Sequence, residues 1–573
     1  MHRTRWGFAL GLLLATAGTA SGSGAPRFAP LGICSNPVWM TEGTQAGARF
    51  GTVAPAGDVN GDGYDDVIIG AYNYDDPEVD EGRAYLYLGS ATGLSPVASW
   101  TAECDRAGAR FADKLSGVGD VNGDGYDDVL IGAGSYTRNL TEQGAAFLYL
   151  GGPGGLSAQP AWVMEGDQAG GTFGACAQRA GDVNGDGYDD VIIGAWLYDD
   201  GQTDEGKAFV YLGSDSGLAR TPVWTGESDT PGAVYGYFCT TAGDLNGDGY
   251  DDIVVGARRY SSGGLSRRGR VYVYYGSPTG PSPTPDWVRD GEKANDEYGN
   301  SPATAGDVNG DGYDDLLVNA FRYDDPTGAA DVGAAYLFLG SPAGLGTSPA
   351  WSKVGDQAST YYGYHVDTAG DVNGDGYGDV LLTAPDYNVP GFTDAGRAYV
   401  YLGSAAGLAD TAAWIQDGDQ DGGQLGNAAR GAGDVNGDGY ADILTGVLYR
   451  DLGSLVDAGR AWLFYGCPDG VTGVPPAHDD DNDLRLEAAT RNPFSRSVEI
   501  AFTTPARGPV RLTIFDLAGR SVARLLDAPL EPGRHVAQWN GRGRDERRVA
   551  AGLYLARLEA GGGTRSLRLV LLP

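Results

Sequence analysis

The chain has 573 residues and a formal charge of −36, with 95 Gly, 33 Tyr and only three Met. Such an acidic body repels phosphate backbones, which excludes nucleic acid as a partner. Its wealth of Gly points to many short strands and tight turns rather than helices.

At the N-terminus His2, Arg3 and Arg5 precede an apolar stretch from Trp6 to about Ala17 and then small residues. This is the pattern of a secretory signal peptide over residues 1–22, with cleavage after Ala20 or Gly22. The stretch is short for a transmembrane helix, and no later segment approaches ~18 continuous apolar residues. The mature protein is expected to be exported, either soluble or attached to the surface, without a transmembrane span; an N-terminal anchor is the alternative.

Residues 34–467 repeat. An acidic loop begins at Asp58, Asp120, Asp182, Asp244, Asp307, Asp371 and Asp434, and a Trp keeps the same rhythm at Trp39, Trp100, Trp162, Trp224, Trp287, Trp351 and Trp414. Each unit offers four extended segments: one like RFGTVAPAG, then after the loop an apolar run such as VIIGA, then an alternating GRAYLYLG and the Trp segment PVASWTAE. They are strands A to D. The B segments are apolar on both faces, as a strand buried on both sides requires. Seven four-stranded units without a helical period predict an all-β, seven-bladed β-propeller; a linear solenoid is the alternative.

The first Trp segment precedes the first strand A, and none follows the last strand C, Arg460 to Tyr465. The N-terminal strand is therefore expected to complete blade seven, closing the ring and removing its edges. Antiparallel pairing there would bring Cys34 to Cys467, and a disulfide is expected between them, the alternative being two free thiols. Cys104, Cys176 and Cys239 read as buried small apolar residues.

The loops carry the chemistry. In the first, oxygens recur at positions 1, 3, 5, 7 and 9 as Asp58, Asn60, Asp62, Tyr64 (through its carbonyl) and Asp66. The second and third repeat this with Asp120, Asn122, Asp124, Tyr126 and Asp128, and with Asp182, Asn184, Asp186, Tyr188 and Asp190. The fourth and fifth have Asp244, Asn246, Asp248, Tyr250 and Asp252, and Asp307, Asn309, Asp311, Tyr313 and Asp315. The last two have Asp371, Asn373, Asp375, Tyr377 and Asp379, and Asp434, Asn436, Asp438, Tyr440 and Asp442.

An all-oxygen set at this spacing suits Ca²⁺, about seven ions in a structural role. Magnesium and metal-free turns are the alternatives. Position 8 is Asp65 in the first copy but Gly378 and Ala441 in the last two, whereas position 9 is always Asp. Position 9 is therefore read as the bidentate ligand and position 8 as a solvated or capping carboxylate. An EF-hand would need Glu where Ile69 stands, and a dockerin would continue into helices.

FG at 50–51, the DVNGDGYDD loop and the GA after strand B resemble the FG-GAP repeats of integrin α-subunit propellers. FG drifts to Phe111 with Ala112, to Tyr-Gly in copies four to six, and to Leu425-Gly426. The resemblance implies calcium sites in the A–B hairpins on one face of the ring. The B–C and D–A loops share the opposite face, where function is expected. There stand acidic, variable loops such as NYDDPEVDEG, LYDDGQTDEG and RYSSGGLSRRG, with a ring of Tyr74, Tyr136, Tyr198, Tyr260, Tyr323, Tyr387 and Tyr449. The ring reads as packing with tethered hydroxyls, against the alternative of a ligand platform.

A Pro- and Asp-rich linker, 468–483, leads to residues 484–573, which hold fifteen Arg, no Lys and eight acidic residues. Strands VEIAFTT, VRLTIFD, HVAQWN, GLYLARLE and RSLRLVLL predict a small Ig-like β-sandwich. NPF at 492–494, VRLTIFDLAGR and the basic ending resemble the Ig-like domain of flagellar hook-capping proteins and the C-terminal sorting domains of secreted bacterial proteins. That implies export or surface attachment.

Four His, at 2, 365, 478 and 535, leave almost no material for a His-based triad or a zinc site, and the reading leans away from an enzyme. Three functions fit: an adhesion module binding an extracellular protein or glycan, a carbohydrate- or lipid-acting hydrolase using carboxylates of the loop face, and a structural surface component.

Overall fold

The structure, a computed structural model, describes residues 32–34, 36–467, 485–488, 498–504, 507–516, 520–530, 533–543, 547–550, 552–560 and 563–571. The expected signal peptide, the linker and the NPF segment lie outside these residues. The chain divides into two compact units, 1–474 and 475–573.

The first unit is a ring of seven antiparallel four-stranded sheets. In blade one, strand A is Phe50–Gly57, B Asp66–Ala71, C Arg83–Tyr87 and D Trp100–Glu103, hydrogen-bonded in that order. Blade seven takes A from Ala428–Gly433, B from Asp442–Val447 and C from Arg460–Phe464, but its D strand is the N-terminal Trp39–Glu42, with Trp39 opposite Leu463 and Glu42 opposite Arg460. The expected closure is present. A second pairing, Gly32 with Cys467 and Ile33 with Gly466, extends the seam. All seven B strands are buried at every position, as their two-sided apolar character requires.

The Trp rhythm has a physical cause. Each Trp opens a D strand and meets edge-on an aromatic ring in the next blade's C strand, such as Tyr149 for Trp100 (centroids 4.9 Å apart) or Phe464 for Trp414 (4.9 Å). Six indoles also donate to a carbonyl of the next blade's C–D turn, as Trp39 does to Ser95 O (3.0 Å) and Trp100 to Ser157 O (3.0 Å). The buried Nε1 of Trp414 has no acceptor among the described residues. Its neighbour is blade seven, whose D strand comes from the other end of the chain, so no C–D turn is there to supply one. Trp100→Phe is therefore expected to cost about 1 kcal/mol more than Trp414→Phe, the net worth of one hydrogen bond. Urea unfolding of the two variants checks the difference.

The FG element locks blades together. Phe50, Phe111, Phe173, Tyr235, Tyr298, Tyr362 and Leu425 are all buried, and backbone bonds such as Phe111 N to Glu81 O (2.8 Å) tie each to the preceding blade's B–C loop. The next residue takes positive φ, from +68° at Ala112 to +134° at Gly51. At Gly174 a Cβ would lie 2.2 Å from the carbonyl of Ala145, so glycine is needed there for close approach as well as conformation.

The tyrosine ring packs. Tyr136 and Tyr387 are buried, and cations cover Tyr74, Tyr198, Tyr260, Tyr323, Tyr387 and Tyr449. Arg83 also donates to the Tyr74 hydroxyl (3.1 Å), and Tyr387 donates to Asp356 (3.4 Å).

In the second unit, Arg485–Ala488, Val498–Thr504 and Gly533–Trp539 form one sheet. Ser521–Leu530, Gly508–Asp516, Gly552–Ala560 and Gly563–Leu571 form another. Alternate residues Val498, Ile500, Phe502 and Val510, Leu512, Ile514 fill the core with Trp539 and Leu558, as in a β-sandwich. The five expected strands are present; Arg485–Ala488 and Ser521–Leu530 are additional.

Candidate functional site

The seven acidic loops fold alike. Asp58 Oδ1 accepts from the amides of Gly61 (2.7 Å) and Asp62 (3.0 Å), and Oδ2 from that of Gly63 (2.7 Å). Asp62 Oδ1 accepts from Tyr64 N (3.2 Å), and Asn60 Oδ1 from Asp62 N (2.9 Å). The side-chain oxygens of positions 1, 3 and 5 are thus gathered by one turn, with the Tyr64 carbonyl following. Gly61 and Gly63 carry the positive φ that this winding needs.

Position 9 is placed differently. Asp66 is fully buried, its Oδ2 accepting from Val59 N (3.1 Å) and its Oδ1 from Gly89 N beyond strand C (2.7 Å). All seven copies repeat this bridge. The persistence of Asp at position 9 therefore has a structural cause besides any metal. Burial, with added repulsion from Asp62 and Asp58, pushes the Asp66 carboxyl up to about 7; its counterparts Asp190, Asp252 and Asp442 reach about 8.

Position 8 caps the neighbouring blade. Asp127 Oδ2 accepts from Asp58 N (2.7 Å), and the bond recurs from Asp120 to Asp189, Asp182 to Asp251, Asp244 to Asp314 and Asp434 to Asp65. The Gly before each of these five loops makes room: a Cβ on Gly57 would stand 2.2 Å from Asp127 Oδ2. Gly378 and Ala441 cannot supply this cap, although the backbone bonds to Asp307 O (2.8 Å) and Asp371 O (3.0 Å) persist. Asp127→Ala is expected to cost roughly 1.5–3 kcal/mol, the worth of a hydrogen bond to a charged acceptor, while Asp127→Asn keeps an acceptor and costs less. Chemical denaturation checks both, and equal losses would contradict the cap.

The loops fit a hard cation by donor chemistry, since every candidate ligand is oxygen. In the seventh loop the buried Oδ1 of Asn436, at position 3, meets no donor. Among the described residues, the carboxylates whose oxygens gather within 4.8 Å of one another are Glu78, Glu81 and Asp105, on the opposite face. Sequence reasoning named Glu78 and Glu81 only within an acidic loop and missed Asp105, which comes from the following D–A connection.

Cys34 and Cys467 meet at the seam, Sγ to Sγ 3.1 Å, as thiols. Cys176 and Cys239 are buried and in contact, with Cys239 N donating to Cys176 Sγ (3.2 Å), whereas Cys104 is half-buried.

Three cavities of the propeller carry side-chain chemistry. The channel, about 220 Å³, is lined from all seven blades, including Lys114, Gln178, Ser301, His365 and Arg430. Arg430 lies 2.7 Å from His365 Nδ1 and Ser301 Oγ 3.3 Å from the same atom. Burial, reinforced by Arg430 and Lys114, holds this imidazole well below its usual pKa. Because a guanidinium can only donate, it occupies the Nδ1 lone pair, which is then withheld from Ser301 as a base. Two further cavities of about 250 Å³ each open among B–C and D–A loops of blades four to six. No helix among the described residues is long and apolar enough to cross a membrane.

Comparison with known proteins agrees with this geometry. The FG-GAP repeat family matches residues 50–87, 115–149, 240–274, 298–338, 362–401 and 428–464, and an FG-GAP-like repeat matches 182–255. Integrin alpha-IIb of Mus musculus is 37% identical over 148 residues, 24% of this chain and 14% of that protein. Integrin alpha-V of Gallus gallus is 33% identical over 231 residues, 38% of this chain and 21% of that protein. The chain thus spans about a fifth or less of these relatives' lengths. PorZ, a bacterial surface component of the type-IX secretion system of Porphyromonas gingivalis, aligns over 91% of this chain and 81% of its own at 11% identity. The TM-score is 0.19, too low to carry an argument. Six FG-GAP matches fall one each on blades one, two and four to seven, the FG-GAP-like match runs from the loop of blade three into strand B of blade four, and residues 50–464 are an integrin-α-like FG-GAP repeat β-propeller.

Proposed function

We propose that this protein is an exported, calcium-loaded binding module that takes an extracellular protein or glycan on the face formed by its B–C and D–A loops. The observation that carries the reading is the position of the two cavities outside the channel: both are walled by loops of this face. The A–B loops of the other face would hold calcium through positions 1, 3, 5, 7 and 9, where the ion would add positive charge to a crowded acidic turn and stiffen it. The likeness to integrin α propellers supports the adhesion side of this reading. Export rests on the signal-peptide pattern of residues 1–22, and surface attachment on the C-terminal module.

A glycan array and a panel of extracellular matrix proteins, run alongside a broad hydrolase screen, test the reading. Ligand retention without turnover, lost on substitution of loop-face residues, is the expected result. Turnover abolished by replacing a pair of loop-face Asp residues would defeat it and favour a hydrolase.

A further inference from the structure

One pocket of the loop face breaks the acidic pattern of the chain. Its walls are Arg258, Arg259 and Arg267 from the B–C loop of blade four, Arg322 from that of blade five, and Phe321, Tyr361 and Tyr364. The sole carboxylate among its lining residues is Glu297, whose side chain is 1% exposed. Arg267 pairs directly with Glu297, Arg258 Nη1 lies 3.4 Å from it and Arg322 Nε 3.8 Å. Asp331 reaches Arg322 from the adjoining cavity, at 3.6 Å.

Arg259 forms no ion pair among the described residues, and its Nε, shut off from solvent, meets no acceptor; the buried Nε atoms of Arg258 and Arg322 lack acceptors too. Three guanidiniums thus share the Glu297 carboxylate, Arg322 also reaching Asp331, and a fourth, Arg259, has no ion-pair partner among the described residues, inside a protein of charge −36.

The fold does not demand them. Where Arg258 and Arg259 follow strand B of blade four, blade one has Tyr72 and Asn73, blade two Gly134 and Ser135, and blade three Trp196 and Leu197. Uncompensated like charges and unsatisfied buried donors both cost stability. A bound oxyanion would offset both, because the planar guanidinium fork matches carboxylate and sulfate oxygens.

We propose that Arg258, Arg259, Arg267 and Arg322, arranged around Glu297, form a binding subsite for an oxyanion, a carboxylate or sulfate carried by the ligand of the loop face. The inference rests on the loop-face reading and assigns it a chemistry.

Calorimetric titration of the full chain with sodium sulfate and, separately, sodium glucuronate, at ionic strength fixed with NaCl, provides the test. At least one anion is expected to bind, with Arg259→Ala weakening it tenfold or more and Arg259→Lys weakening it less. Without anion, the melting temperature of Arg259→Ala should be unchanged or higher, which separates lost binding from lost fold. Binding of sulfate alone assigns a tetrahedral group, and of glucuronate alone a carboxylate; both uphold the site. No heat from either anion, affinities unmoved in Arg259→Ala, or binding only of an Asp/Glu-rich peptide overturns it. Ligand retention on the array that survives Arg259→Ala would remove the subsite and leave the loop-face reading standing. Anion binding with no ligand retained on the array would do the reverse.

Discussion

Chelation with EDTA is expected to lower the thermal unfolding midpoint on the order of 10 °C, and added Ca²⁺, but not equimolar Mg²⁺, to restore it. Each A–B loop winds the carboxylates of positions 1 and 5 into one turn, and behind it the position-9 carboxyl, Asp66 in the first copy, is buried and pushed up to about 7, first by burial and then by repulsion from Asp62 and Asp58. A divalent cation removes that repulsion, and a site filled at a hundredfold excess over its Kd adds about 2.7 kcal/mol. One kcal/mol moves the midpoint by about 2–4 °C in a domain of 150–250 residues and by about 1 °C in one the size of this propeller, so a shift of about 10 °C needs roughly three or four of the loops to fill. Magnesium is a poor substitute because it demands a smaller, strictly octahedral shell. Elemental analysis showing no calcium in protein purified without chelator, together with a midpoint indifferent to EDTA, would overturn the assignment and leave the loops as amide-wound turns.

The second large effect belongs to the seam. Removing the N-terminal segment through Gly43 is expected to abolish cooperative unfolding and yield aggregates. Strand Trp39–Glu42 supplies the whole D strand of blade seven. It also supplies the Trp39 to Ser95 hydrogen bond, the edge contact of Trp39 with Tyr87 (4.9 Å) and the ion pair of Glu42 with Arg460. Its loss would bare the edge of Arg460–Phe464, a template for pairing with other chains.

Cys34 and Cys467 sit at the same seam, 433 residues apart in sequence and 3.1 Å apart at sulfur. Oxidation would close nearly the entire ring, a constraint worth roughly 6 kcal/mol by loop entropy. Reduction of protein purified without reductant should therefore lower its midpoint, and Cys34→Ser should match the reduced form. Peptide mapping that found both thiols free in protein never exposed to reductant would refute the bond.

Much of this was legible in the chain itself. Each repeat carries its own strand, turn and loop signals, so the count of seven, the strand order within a blade, the two-sided burial of VIIGA and the closing strand all follow from local periodicity. The Trp segment set before the first repeat and missing after the last was enough to predict the seam. In the second unit the clear apolar alternation of VEIAFTT and VRLTIFD was readable, whereas SVARLLDAPL mixes its periods. Its pairing with Gly508–Asp516 shifts register between Leu512 and Thr513, which hides the alternation.

What the tertiary structure alone decided are relations between repeats. Position 8 is a cap whose acceptor and donor lie in different blades, as from Asp127 to Asp58, 69 residues apart. The loss of that cap at Gly378 and Ala441, like the unpartnered indole of Trp414, is visible only once neighbours around the ring are known. The arginine pocket draws residues from 258 to 364 into one cavity, although none of its arginines recurs in every repeat. Periodicity within a repeat reports the forces that fold each blade; non-periodic side chains from successive loops meet only because ring closure sets one blade against the next.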